Sequence, residues 1–112
     1  MKRGEIFWAN LDPFMGAEIS KTLPVLIISN DINNLYSQNI TIIPITKSIS
    51  KIYPFEVFVS KDISGLVYDS KIKTNQIRTI DKQRLISKIS EITPEIIKEV
   101  EQAILIHLGI NN

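Results

Sequence analysis

The chain has 112 residues, 44% hydrophobic and 22% charged, with a formal net charge of +1. That length and composition suit one globular domain, expected to span 1–112, with a single modest core. With so little net charge, any nucleic-acid site must be a local patch. With no cysteine and one histidine, His107, neither a disulfide framework nor a thiolate or multi-histidine metal site can be assembled, so no metal or cofactor is expected. The first residues turn acidic and polar too early for a signal peptide, and the apolar runs are only strand-length, so a cytoplasmic protein without a membrane partner is expected.

In chain order, strand-like runs occur at Glu5–Ala9, Val25–Ser29, Ile40–Thr46, Phe55–Ser60 and Ser70–Arg78, separated by clusters of Gly, Pro, Asn, Asp and Ser. Glu56-Val57-Phe58-Val59 is too apolar for clean alternation and is expected to be covered on both faces. Lys71-Ile72-Lys73-Thr74-Asn75 alternates, which predicts one solvent-facing side. Asn30–Asn34 and Asp81–Arg84 read as short helical turns, the second capped by Asp81. Residues 85–92 fit either strand or helix, with strand preferred. Thr93, Pro94 and Glu95 form a helix start. Ile96, Ile97, Val100, Ala103, Ile104 and Leu108 then follow helical spacing up to Gly109. This stripe is expected to pack on the sheet, and His107 is given no chemistry. Several short strands with one helix point to a small β-barrel or sandwich.

Asn10–Leu23 joins two strands without periodicity. Loops of more than about 12 residues are uncommon in compact domains unless they serve a function or are disordered. Phe14 and Met15 could anchor a lid here, and Gly16, Glu18, Ser20, Lys21 and Thr22 supply a turn, a carboxylate, hydroxyls and an ammonium. Taken singly, these are ordinary loop residues. A strand threonine such as Thr46 and surface lysines such as Lys47 and Lys73 are also most often structural or solvating.

Four blocks in order change that weighting. They are Lys2-Arg3-Gly4-Glu5-Ile6-Phe7-Trp8 with Leu11-Asp12-Pro13, Gly16-Ala17-Glu18 through Pro24-Val25-Leu26, Ile42-Ile43-Pro44-Ile45-Thr46, and Gln76 through Leu85. Together they resemble the MazF/PemK/Kid toxins, endoribonucleases of type II toxin–antitoxin modules. The resemblance implies a mainly β fold, an SH3-like small β-barrel with a C-terminal α-helix, acting as a homodimer. It implies single-stranded mRNA as substrate and a cognate antitoxin whose flexible acidic tail competes for the same groove. The implied reaction is metal-independent: the ribose 2′-hydroxyl attacks the adjacent phosphorus and leaves a 2′,3′-cyclic phosphate. By position, Thr46 would hydrogen-bond a phosphate oxygen and Glu18 would orient or deprotonate the attacking hydroxyl. Lys21, Lys47, Lys73, Asn75 and Gln76 would contact RNA. Some relatives place an arginine at position 73 and an aspartate at 75. Asn75 excludes any carboxylate mechanism through that position. Arg78, Asp81 and Arg84 are expected to be structural.

The sharpest departure is Leu23, where the family typically has its catalytic arginine. An arginine would offer a charged planar fork to phosphate; leucine offers neither donor nor charge. RNA binding with impaired cleavage is therefore expected. Two other readings compete with it: a CcdB-like toxin that binds DNA gyrase without cutting nucleic acid, and a catalytically dead RNA-binding relative.

Overall fold

A computed structural model describes residues 1–11 and 21–110. Its elements are β1 (Glu5–Leu11), β2 (Lys21–Ile27), α1 (Asp31–Tyr36), β3 (Asn39–Thr46), β4 (Val57–Val59), α2 (Lys61–Ser64), β5 (Ser70–Ile72), β6 (Arg78–Asp81), β7 (Leu85–Glu91) and α3 (Pro94–Leu108). Two 3₁₀ turns, Thr74–Gln76 and Lys82–Arg84, flank β6. The sheet is antiparallel in the order β4-β5-β3-β2-β1-β7, with β6 also paired to β3. No helix among the described residues is long and apolar enough to cross a membrane.

β3 organises the sheet. One edge pairs with β2 through Ile42, Ile43 and Pro44. The other pairs first with β6, through Asn39–Ile42, and then with β5, through Ile45 and Thr46. Pro44 sits at the change of partner, where its missing N–H leaves no ladder bond unmade, and its carbonyl accepts the Lys73 N–H at 3.0 Å. The run Ser70–Arg78 is therefore not one strand. It ends at Ile72, turns through Thr74–Gln76 and resumes as β6. Thr74, fully buried, donates its hydroxyl to the Phe55 carbonyl and locks the turn.

The two face assignments also change. Ser70, Lys71 and Ile72 are all buried, because Lys71 folds its ammonium onto a buried carboxylate instead of pointing to water. On β4, Phe58 is exposed between buried Val57 and Val59. The runs covered on both sides are instead those of β2 and β3. Leu26, Ile43 and Ile45 join a core under α3, while Val25, Ile27, Ile40 and Ile42 join a second cluster with Ala9, Leu11 and Ile80.

The mainly β fold with a C-terminal helix is as expected, and residues 85–91 are strand. Asn30 caps α1 and Asp81 caps the turn at Lys82–Arg84, each by accepting a backbone N–H. Thr93 caps α3, and Gly109, at φ 70°, closes it. Ile96, Val100 and Ala103 are buried, but the last turn, Ile106–Leu108, is exposed, so Leu108 does not belong to the packing face. Arg3 ties α3 to the start of β1, with its guanidinium 2.9 Å from Glu101 and bonded to the Ile28 carbonyl. The hairpin β1–β2 is paired out to Leu11↔Lys21, so Lys21, Thr22 and Leu23 are strand residues, not loop. Phe14, Met15, Gly16, Glu18 and Ser20 lie outside the described residues.

The sheet curls as a small barrel does, but β4 and β7, at the ends of its path, are not paired. The seam is bridged where α2 meets β7. Ser90 donates its hydroxyl to the Ser64 carbonyl, and a Cβ built on Gly65 would lie 3.0 Å from the Ser90 Cβ. Gly65 also has φ 76°, whereas a Cβ on Gly109 would meet nothing within 4 Å. Gly109→Ala should therefore cost about 1 kcal/mol of left-handed strain. Gly65→Ala should cost roughly twice that or more, because strain and overpacking add. Urea unfolding of the two variants side by side checks this ordering; equal losses would contradict the seam.

Candidate functional site

The strand ends on one side of the sheet enclose a groove of about 1040 Å³. Its base is apolar, from buried Pro44 and Ile45 and half-buried Leu66 and Ile89. Its polar wall comes from Thr46, Lys47, Lys73 and Gln76, and the β2 side contributes Thr22, Leu23 and Pro24. Five of the sequence-derived candidates thus meet in one cavity: Leu23, Thr46, Lys47, Lys73 and Gln76. Asn75 is exposed on the same 3₁₀ turn as Gln76 but does not line the groove. Lys21 opens β2 opposite Leu11, and Glu18 lies outside the described residues.

Each wall residue is held by a local device. Thr46 ends β3, and its Oγ1 accepts the Ser48 N–H at 3.2 Å, which leaves the hydroxyl proton to donate to a ligand. Lys47 follows it, with Nζ 4.7 Å from the centre of the Tyr68 ring, a cation–π contact. Gln76 is exposed at the end of the turn that Thr74 locks. Lys73 Nζ lies 3.7 Å from Oε2 of Glu56, while Lys71 Nζ lies 3.0 Å from Oε1 of the same carboxylate. Lys71 also donates to the Lys51 carbonyl at 2.7 Å, and the Tyr53 N–H reaches Glu56 at 3.0 Å. Two ammonium groups share one carboxylate, so among the described residues this cluster carries one net positive charge, with Lys73 as its groove-lining arm.

Burial pushes the Glu56 carboxyl upward, but the Tyr53 N–H and the two lysines outweigh it and hold the group below its ordinary range. Glu5 follows the same pattern: burial raises it, while the Lys2 N–H and the Lys88 ammonium, at 2.9 Å, bring it below its usual value.

Leu23 is half-buried. It pairs with Ala9 of β1 and packs against the second core cluster while its other side faces the groove. It presents apolar surface, with neither donor nor charge, to the groove. Among the described residues, no three His, Asp or Glu side chains come together to hold a metal ion.

Over residues 2–108 the chain matches the model of the PemK-like, MazF-like toxins of type II toxin–antitoxin systems. The chain belongs to that family. It is 40% identical over 111 residues to endoribonuclease EndoA of Bacillus subtilis, covering 98% of this toxin and 96% of the relative. It is 35% identical over 115 residues to endoribonuclease MazF9 of Mycobacterium tuberculosis, covering 98% of each. The fold is shared with an endoribonuclease from a mycobacterial species solved with its cognate antitoxin, at a TM-score of 0.81 and 21% identity, covering 100% of this chain and 98% of that one.

Three groove-side features of this toxin escape sequence reading. Trp8 lines the groove from β1 and is 39% exposed. Tyr68 lines it from the turn between α2 and β5. Glu56 was hidden inside an apolar run, and only its contacts reveal that it holds Lys73. A lone acid between Phe55 and Val57 in an apolar run was the available signal.

Because the folded Glu56 and Glu5 carboxyls sit below their ordinary values, both contribute stability that is complete above the unfolded glutamate pKa, about 4.3. That stability is lost as pH falls through the folded values. Thermal unfolding between about pH 7 and pH 3 should show a falling melting temperature on the acid side. Glu56→Gln should lower the melting temperature at pH 7 and flatten that acid decline. An unchanged profile would contradict the Glu56–Lys71–Lys73 cluster.

Proposed function

We propose that this chain is the toxin of a type II toxin–antitoxin module, a cytoplasmic endoribonuclease scaffold whose groove binds single-stranded mRNA and whose cleavage step is blunted at position 23. The observation that carries the reading is the convergence of Thr46, Lys47, Lys73 and Gln76 around one groove that also holds Leu23. Two ammonium groups attract a polyanion, and a hydroxyl and an amide supply directed hydrogen bonds. Relatives that align over nearly the whole chain are named endoribonucleases, and a solved structure of the same fold carries its antitoxin.

The reaction implied by the resemblance needs no metal. The 2′-oxygen loses its proton and bonds the adjacent phosphorus, the 5′-oxygen leaves with a proton, and a 2′,3′-cyclic phosphate remains. Charge accumulates on the phosphoryl oxygens between these events, and groups placed to meet it lower the barrier. In this reading Thr46 donates to one such oxygen, Lys73 and Lys47 offset its charge, Gln76 positions the strand, and Glu18 handles the 2′-hydroxyl proton. Lys21 and Asn75 hold the flanking RNA. No group at position 23 meets the developing charge, and a lysine elsewhere is a point charge without the bidentate geometry of a guanidinium. The toxin acts as a homodimer and is silenced by an antitoxin whose acidic tail occupies the lysine-lined groove.

The packing of Leu23 against the core favours one second reading, an RNA-binding relative that does not cut. A single substitution separates the two. Leu23→Arg should raise the cleavage rate of a single-stranded RNA by about 10²–10³ and make the chain more toxic to its host. If the arginine variant leaves RNA uncut, the ribonuclease reading fails and the RNA-binding one stands.

A further inference from the structure

The turn between α2 and β5 is short, exposed and pinned at both ends. The Leu66 N–H donates to the Ser64 hydroxyl at 3.0 Å, and Asp69 accepts the Lys61 N–H at 2.9 Å. Ser70, buried, donates its hydroxyl back to the Tyr68 carbonyl at 2.9 Å. This fixed turn carries Tyr68, which is 57% exposed and lines the groove. The Lys47 ammonium stands over its ring at 4.7 Å. A single exposed tyrosine is ordinary on a protein surface. An aromatic ring on an anchored turn, exposed over more than half its surface and with a groove-lining cation over one face, is a preformed stacking platform.

We infer that Tyr68 is a base-stacking residue, which together with Lys47 takes one unpaired base and its adjoining phosphate from a single-stranded RNA. The inference rests on the RNA reading above and adds to it the part of the ligand that this wall recognises. A π-face accepts any base, so the contact selects single strands over duplexes, whose bases are already stacked. The ammonium both contacts the ring and belongs to a residue that lines the groove, so it is placed to serve the base and its phosphate together. Trp8, partly exposed on β1, offers a second aromatic surface in the same cavity. Stacking contributes independently of salt, whereas the Lys47–phosphate contact carries counterion release, so the two can be separated experimentally.

The test is fluorescence anisotropy of a labelled, mixed-sequence 12-nucleotide RNA, 2′-O-methylated so that it cannot be cut, titrated at several salt concentrations. Tyr68→Ala should weaken binding roughly 5- to 150-fold with an unchanged salt slope, and Tyr68→Phe should restore it. Lys47→Ala should reduce the slope of log K against log salt by about 0.7. A duplex of the same sequence should compete poorly. If the unsubstituted protein binds the RNA and Tyr68→Ala binds it equally well, the stacking assignment is overturned, and the turn becomes a candidate protein-contact surface. A Tyr68→Ala loss that appears only as a change in salt slope overturns it as well. If the unsubstituted protein does not bind this RNA at all, the RNA reading falls and the stacking assignment falls with it.

Discussion

The change of partner along β3 is the constraint on which the site depends. A strand of eight residues cannot keep one neighbour on an edge that must serve both β6 and β5, so the chain between them has to break and shift. Pro44 stands at that break, where its missing donor is harmless, and its carbonyl takes the first backbone N–H of the turn from Lys73. From this one exchange follow the ends of β3 and β5, the 3₁₀ turn and the outward aim of Gln76. The groove is the space left where the ladder changes hands. Its wall residues are placed by backbone geometry and held by buried anchors such as Thr74, which is a more rigid arrangement than an open loop provides.

Electrostatics then divide the groove into two unequal sides. On the β3–β5 wall the cations are restrained, Lys73 by the buried Glu56 carboxylate it shares with Lys71, and Lys47 by the Tyr68 ring. On the β2 side, position 23 is apolar and half-buried. Lysines that attract a phosphate in its ground state raise affinity. They accelerate the chemical step only to the extent that they bind the transition state better. Under the proposed function, a groove built this way would hold a polyanion well and stabilise its extra negative charge poorly.

Much of the fold was legible in the sequence because the signals were local. Thr93, Pro94 and Gly109 mark the helix ends through capping chemistry, and Asn30 and Asp81 mark short turns in the same way. The resemblance carried the residues Thr46, Lys47, Lys73 and Gln76 to one place. What stayed illegible depends on contacts between distant segments. Lys71 looked like a solvent-facing alternation until Glu56, fifteen residues earlier, was seen to bury it. The run Ser70–Arg78 looked continuous because nothing within it announces that β3 changes partner opposite its middle. Leu23 looked like a loop residue, since only its pairing with Ala9 shows it to be part of β2. Tyr68 carried no motif, and its interest arises from a lysine twenty-one positions away.

Under the proposed function this toxin binds RNA through its groove while lacking, at position 23, the charge that drives cleavage. The most direct measurement follows binding and single-turnover cleavage of one labelled single-stranded RNA by the unsubstituted protein, beside Bacillus subtilis EndoA under the same conditions. The two proteins should bind it comparably and with salt sensitivity, and this toxin should cleave it more slowly by about two orders of magnitude or more. Cleavage as fast as that of the relative would contradict it, because the groove would then be supplying the missing charge from a residue other than position 23.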